Sequence, residues 1–117
     1  MVDDARFERR IVREILDRTR GVYTIAGEAA DGREAVGIYA RTRPDFVMMD
    51  IIMPVLDGIS AIREILASDP GARIIACSAM GQETLLGEAL DAGARDFIVK
   101  PVTGDKLLAA LDRHSGE

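Results

Sequence analysis

The chain has 117 residues, of which 48% are hydrophobic and 30% charged, which is the length and composition of one folded domain without room for a second, attached domain. Its formal net charge of −5 argues against nucleic acid as a direct partner, since such binding needs a basic face, and no apolar stretch approaches the length of a membrane span. Cys77 is the single cysteine, which excludes an internal disulfide and favours the reducing cytoplasm.

Helices and strands alternate along the first half of the chain. Apolar residues at helical spacing predict a first helix, which Asp4 can cap and which ends before Gly21. The β-branched and aromatic residues 22–26 predict a strand, and Asp31-Gly32 then turns into a second helix that ends before Pro44. The apolar run 46–49 predicts a strand that closes at Asp50.

The alternation continues to the carboxyl terminus. We predict helices over 58–68, 82–92 and 103–113, and strands over 73–78 and 96–99. Strands and helices that alternate in this way indicate a parallel sheet with helices on both faces, joined by right-handed crossovers. The nearly continuous apolar strands agree with burial on both faces.

Chemically active side chains follow the predicted strands. Asp50, Ser78 and Lys100 each stand at the end of an apolar run, and Asp3-Asp4 follow Met1-Val2. In open α/β sheets the carboxyl ends of the strands face the crevice that binds ligands, so these groups should converge there. Lysine at this strand end is notable because the chain has thirteen arginines and, besides Lys100, only one other lysine.

Four motifs stand in order along the chain: Val2-Asp3-Asp4-Ala5 with Phe7, Met49-Asp50 through Met53-Pro54 with Asp57-Gly58, CSAMGQ at 77–82, and DFIVKP at 96–101. By these motifs the chain resembles response-regulator receiver domains, and more narrowly the stand-alone chemotaxis regulators of the CheY type. The resemblance covers nearly the whole chain. It implies one receiver domain over residues 1–117 with a flavodoxin-like, doubly wound parallel sheet of five strands in the order 2-1-3-4-5.

The first strand departs from this pattern. It should be central, yet only Met1 and Val2 represent it, whereas a mean strand has about five or six residues. Without it, the second and third strands lack a shared neighbour for their backbone groups. Our interpretation is that Met1 is an internal methionine of a longer strand and that the protein is a monomer. The alternative is a native short form completed by strand exchange with another chain.

The resemblance assigns a magnesium site to the acidic residues. Asp50 is implied to accept a phosphoryl group from a histidine kinase, with Mg²⁺ to neutralise the transferring oxygens. Asp4 and Asp50 would bind the ion directly and Asp3 through a water molecule. The backbone carbonyl of Ile52 would complete the ligands.

Three further residues are implied to respond to the phosphoryl group. Lys100 would pair with one of its oxygens, aimed inward by a cis bond to Pro101, and Ser78 would donate a hydrogen bond to it. The movement of Ser78 would free space for Phe97 to rotate inward and change the face formed by the fourth helix, fifth strand and fifth helix.

The implied protein is a phosphorylation switch and not an enzyme beyond its own Mg²⁺-dependent phosphorylation and dephosphorylation. Its partners would be a chemotaxis-type histidine kinase and an output protein such as the flagellar motor switch. Ile52 and Met80 are apolar where side chains flank the hydrolytic water, which predicts slow self-dephosphorylation. Val102 stands where chemotaxis relatives usually have Phe, which predicts an altered output surface.

Three other functions stay open. A phosphorylation-independent scaffold or oligomerisation module is favoured by the short first strand and disfavoured by the complete set of acid, hydroxyl and lysine. A flavodoxin-like nucleotide or flavin binder would need a glycine-rich phosphate loop after the first strand, which the sequence lacks. An aspartate-nucleophile phosphatase would need an acid–base residue two positions after Asp50, where the chain has Ile52.

Overall fold

The computed structural model describes residues 1–117. Three parallel strands form the centre of the fold. They are β1 (Val47–Asp50), β2 (Ile74–Ser78) and β3 (Asp96–Val99), paired in the order β1-β2-β3. Asp50 lies beside Cys77 and Ser78 beside Val99, so the three strands end near one edge of the sheet.

Five helices cover both faces of this sheet, as the alternating pattern predicts. They are α1 (Arg6–Asp17), α2 (Gly32–Thr42), α3 (Gly58–Ser68), α4 (Glu83–Asp91) and α5 (Gly104–His114). Buried residues of α2, α3 and α4 pack against one face, and those of α1 and α5 pack against the other. All five residues of β2 are buried, because this strand has a neighbour on each side and helices above and below.

The first predicted strand is reduced to a single residue. Val2 forms parallel bridges to both Ala29 and Met49. Its N–H donates to the Met48 carbonyl at 2.8 Å, and its carbonyl accepts from the Asp50 N–H at 2.9 Å. Val2 therefore lies between the segment at Ala29 and β1, which is the central place that the order 2-1-3-4-5 assigns to the first strand.

The strand predicted over 22–26 is wrong, since these residues have no regular secondary structure. Pairing on the far side of Val2 is limited to bonds made by Met1, Asp3 and Ala29. A cavity of about 370 Å³ separates the 22–29 segment from β1. Without a neighbour across this gap, β-branched residues do not make a strand on their own, because strand propensity depends on packing and pairing.

The predicted capping of α1 is also wrong. Its N-cap residue is Ala5, whose side chain makes no capping bond, and the Asp3 carboxylate instead accepts from the Ala5 N–H at 2.9 Å. The Asp-Gly pairs do begin helices: Asp31 and Asp57 cap α2 and α3 by accepting from backbone N–H groups of the first turn. None of the five helices is long and apolar enough to cross a membrane.

Candidate functional site

The polar residues predicted for the site lie at the carboxyl edge of the sheet. Asp50 and Ser78 are the last residues of β1 and β2, and Lys100 directly follows β3. The bridges of Val2 bring the following residue, Asp3, to the same edge. The Lys100 N–H donates to the Ser78 carbonyl at 2.7 Å, so the ends of β2 and β3 are joined by a backbone bond.

Three carboxylates form an acidic cluster, which we define as Asp3, Asp4 and Asp50. One oxygen of each lies within 4.8 Å of the others. Asp3 and Asp50 are buried, each 7% exposed, whereas Asp4 is exposed. The pKa of Asp50 is raised to about 6, first by burial and then by the charge of Asp3, while Lys100 opposes the shift.

This cluster fits a hard divalent cation. Carboxylate oxygens are the ligands that Mg²⁺ prefers, and like charges held this close repel one another until a cation offsets them. The Ile52 carbonyl accepts no backbone hydrogen bond and is free to act as a further oxygen ligand. Ile52 itself is 53% exposed and is not part of the buried core.

Lys100 supplies the positive charge at the site. Its Nζ lies 2.9 Å from Asp3, 3.4 Å from Asp50 and 2.5 Å from Glu8. Burial alone would lower the pKa of Lys100, but the hydrogen bonds with Glu8 and Asp3 and the charge of Asp50 raise it above its usual value. The ammonium therefore stays charged among three carboxylates. Its peptide bond to Pro101 is cis, as predicted.

Glu8 is a site residue that the sequence reasoning missed. It lies in the first turn of α1, and its side chain reaches Lys100 across the edge of the sheet. A signal was present, since a helix that starts right after the Asp3-Asp4 strand end must place its first turn close to that edge. The contact of Glu8 with Lys100 could not be predicted, because it depends on how α1 packs beside the loop after β3.

Ser78 is fully buried at the end of β2. Its hydroxyl makes one long contact, to the Ala79 carbonyl at 3.4 Å, and so retains the capacity to donate to another group. The preceding Cys77 is a buried free thiol whose pKa is raised to about 12, chiefly by burial. This thiol is a core side chain and not a nucleophile.

A glycine fixes the loop that carries Ile52. The Gly58 N–H donates to the Ile51 carbonyl at 2.7 Å, and a β-carbon at Gly58 would lie 2.1 Å from the Asp50 carbonyl oxygen. Only a residue without a side chain lets α3 begin this close to β1. Gly32 has the same role at α2, where a β-carbon would lie 2.2 Å from the Leu56 carbonyl oxygen.

The residues predicted to control switching and decay are exposed. Phe97 on β3 is 45% exposed, and Met80 in the loop after β2 is 76% exposed. Val102, after the Lys-Pro pair, is half-buried and packs against the core between the sheet, α1 and α5. Phe97 thus occupies an outward position rather than a place in the core.

Comparison with known proteins agrees with this architecture. Over residues 1–112 the chain matches the family model of the response regulator receiver domain. It is 52% identical over 116 residues to the protein CcdB of Bacillus subtilis, with 99% of this chain and 95% of the relative covered. It is 50% identical over 115 residues to the chemotaxis protein CheY of Thermotoga maritima, with 98% of this chain and 94% of the relative covered.

Solved structures share the same fold. A crystal structure of the CheX-CheY-BeF3-Mg complex from Borrelia burgdorferi aligns with a TM-score of 0.87 and 39% identity, covering 96% of this chain and 84% of that one. The response regulator domain of Thermotoga maritima CheB aligns with a TM-score of 0.89 and 33% identity, covering 99% and 93%. The flavodoxin-like fold expected from the sequence is therefore confirmed, although two of its strands are reduced to bridges. The chain belongs to the response regulator receiver domain family and is homologous to the CheY chemotaxis regulators.

Proposed function

We propose that Asp50 accepts a phosphoryl group from the phosphohistidine of a histidine kinase, and that the resulting aspartyl-phosphate switches the binding of this chain to an output protein. In the transfer, an Asp50 oxygen forms a bond to phosphorus while the bond from phosphorus to the imidazole nitrogen breaks, and its electron pair stays on the imidazole. The observation that carries the proposal is the position of Asp50, which is buried at a strand end between two other carboxylates and an ammonium 3.4 Å away.

The acidic cluster would hold Mg²⁺. Asp4 and Asp50 would bind it directly, Asp3 through a water molecule, and the Ile52 carbonyl would complete the protein ligands. The ion would offset the negative charge of the phosphoryl oxygens. The exposure of Asp4 supports this arrangement, since it leaves a path by which a hydrated ion can enter.

Lys100 and Ser78 would hold the phosphoryl group once it is attached. Lys100 is charged and borders Asp50, so it can pair with a phosphoryl oxygen as a point charge. Ser78 has a hydroxyl with only one weak internal partner, so it can donate to another oxygen. The backbone bond between these two residues would let one respond to movement of the other.

Phe97 would transmit the change to the output surface. It is exposed on β3, which packs against α4 and α5, and it can exchange this outward position for an inward one if Ser78 moves toward the phosphoryl group. A small change at the strand edge would then alter the face formed by α4, β3 and α5.

The partners in this proposal are a histidine kinase of the chemotaxis type and an output protein such as the flagellar motor switch. Homology to CheY proteins supports the pathway, and the altered residue at Val102 bears on the choice of output target. The buried, reduced Cys77 is consistent with the cytoplasm as the place of action.

The test is the intact mass of the protein after incubation with Mg²⁺ and acetyl phosphate. We expect one added phosphoryl group, which disappears in a magnesium-free control and in Asp50→Asn. The second candidate is a phosphorylation-independent scaffold, which the reduced first strand favours because a partner chain could complete the sheet. Folded protein that gains no phosphoryl group would support this scaffold and contradict the proposal.

A further inference from the structure

Glu8 is an acidic side chain at the site to which the proposed phosphoryl chemistry assigns no role. It comes from α1 rather than from a strand end, and it contacts Lys100 Nζ at 2.5 Å. The Glu8 side chain is 35% exposed and that of Lys100 is 16% exposed, so water only partly screens the pair.

Lys100 is already engaged in this state, since its Nζ donates a hydrogen bond to Asp3 and forms ion pairs with Glu8 and Asp50. A lysine ammonium has three N–H donors and no acceptor. Three carboxylates surround it, with Nζ distances of 2.5 Å to Glu8, 2.9 Å to Asp3 and 3.4 Å to Asp50. A phosphoryl oxygen that pairs with Lys100 therefore competes with these partners for the ammonium.

Glu8 is the partner that can leave at the lowest cost. Asp3 and Asp50 are buried, so a carboxylate that lost the ammonium there would be left without water. Glu8 is more exposed than either of them, and water can replace the ammonium at its carboxylate. The negative charge of Glu8 also repels an incoming anionic phosphodonor.

We infer that Glu8 restrains Lys100 in the unphosphorylated protein and thereby slows the acceptance of a phosphoryl group by Asp50. This inference rests on the proposed function. Glu8 is a positioning residue, since it acts through Lys100 and does not touch the reacting atoms. Removing its charge should release Lys100 toward Asp50 and speed the reaction.

The rate of phosphorylation by acetyl phosphate and Mg²⁺ tests this directly. An Asp50 oxygen bonds to phosphorus, the bond from phosphorus to the acetate oxygen breaks, and acetate leaves with the electron pair. The donor is small, so docking of a partner protein does not contribute. We expect Glu8→Gln to be phosphorylated at least about threefold faster than the wild type, the effect of one partly exposed charged contact.

Glu14→Gln is the matched control. It lies on the same helix, removes the same charge and faces solvent, where Glu14 pairs with Arg10 at 3.6 Å. Its phosphorylation rate should equal that of the wild type. A rate increase of the same size in Glu14→Gln would overturn the inference, because it would show an effect of net charge rather than of the contact with Lys100.

A second readout does not depend on phosphorylation. The chain has two lysines, so the ¹⁵N signals of the two ammonium groups are readily assigned, and Lys106, which donates to the Val99 carbonyl at 2.9 Å, is an internal reference. In Glu8→Gln the ammonium protons of Lys100 should exchange with water faster, whereas those of Lys106 should not change.

The outcomes separate the inference from the proposed function. Phosphorylation of the wild type and Glu8→Gln at equal rates would overturn the role of Glu8 and leave the function of Asp50 intact. Unchanged proton exchange at Lys100 would overturn the contact itself. A complete lack of phosphoryl uptake in every folded variant would overturn both.

Discussion

At the residue scale, the site places the Lys100 ammonium among the carboxylates of Asp3, Asp50 and Glu8, where burial limits screening by water. Asp50 would be costly as an isolated buried carboxylate, and Lys100 reduces this cost without removing it, since the pKa of Asp50 remains raised to about 6. A carboxylate in this environment would gain from a cation or from conversion to an acyl phosphate surrounded by donors. Glu8 adds a third carboxylate to this balance through its contact with Lys100.

Replacing Asp50 by Asn should stabilise the metal-free protein. The pKa of Asp50 is raised in the folded state, so the folded protein holds this proton more tightly than the unfolded chain does, and the ionised group opposes folding above about pH 6. We expect Asp50→Asn to gain about 1 to 2 kcal/mol in free energy of unfolding at pH 7.5 in urea titrations. The gain should shrink as the pH falls from about 6 toward the ordinary value of 3.8. A less stable variant at pH 7.5 would contradict this account of the site.

The decay of the phosphorylated protein should be slow because its flanking residues cannot hold water. Ile52 and Met80 are exposed but apolar. In a variant that combines Ile52→Asn with Met80→Glu, we expect the half-life of the phosphoprotein to shorten at least about tenfold, since a positioned acid–base group commonly contributes this much or more. The control is Val55→Asn, which adds a polar side chain to the same loop. Equal decay in the double variant and the wild type would show that these positions do not limit hydrolysis.

At the element scale, two Asp-Gly pairs position the loops of the site. In each pair the aspartate caps a helix, and the glycine lets the helix begin against the backbone of a neighbouring segment. The sequence predicted both helix starts, with Asp31-Gly32 as a turn into α2 and Gly58 as the first residue of α3, but it did not predict the aspartate caps. The distance of closest approach was not predictable, since it depends on the tertiary packing of α3 against β1.

Gly58→Ala should disturb both stability and the acceptor. Its β-carbon would lie 2.1 Å from the Asp50 carbonyl oxygen, so the backbone of α3 or β1 must shift. We expect a loss of about 2 to 3 kcal/mol in urea unfolding, together with reduced phosphoryl uptake. Gly87→Ala is the matched control: it lies in the exposed part of α4 with nothing within 4 Å, and should gain about 0.5 to 1 kcal/mol. A Gly58→Ala variant as stable as the wild type would contradict the close packing at this point.

Strand prediction succeeded where burial on both faces left an unmistakable apolar run. β1 and β2 are such runs, β3 has three apolar residues in succession although Phe97 is exposed, and each strand ends in or is followed by the polar residue that lies at the site. The prediction failed over 22–26, where composition favours a strand but the neighbouring segment offers pairing only at Met1 and Asp3. Local propensity therefore identified strands only where tertiary neighbours were also present.

At the scale of the whole molecule, the sheet keeps the order 2-1-3-4-5 although a single residue, Val2, represents the central first strand. Val2 bonds to β1, its neighbours Met1 and Asp3 bond to Ala29, and this placement delivers Asp3 and Asp4 to the acidic cluster. The resemblance predicted this order from motifs, whereas composition and periodicity alone predicted only a parallel sheet with helices on both faces. Glu8 escaped both arguments because its role depends on contacts between distant elements.

Binding of Mg²⁺ should stabilise the whole domain, because the acidic cluster joins the first segment to β1. We expect the free energy of unfolding to rise with Mg²⁺ concentration, by about 2.7 kcal/mol at a hundredfold excess over the dissociation constant. Asp4→Asn should greatly weaken this response, whereas Asp17→Asn, which removes an equal charge at the exposed end of α1, should retain it. An equal response in Asp4→Asn and the wild type, measured by thermal unfolding, would place the ion elsewhere.

The most direct test of the central claim identifies the residue that carries the phosphoryl group. After incubation with acetyl phosphate and Mg²⁺, borohydride reduces an aspartyl-phosphate to homoserine, which peptide mass spectrometry locates in the chain. We predict homoserine at position 50 and at no other aspartate. Homoserine at position 3, 4 or 57, or none in protein that has gained a phosphoryl group, would contradict the assignment of Asp50 as the acceptor.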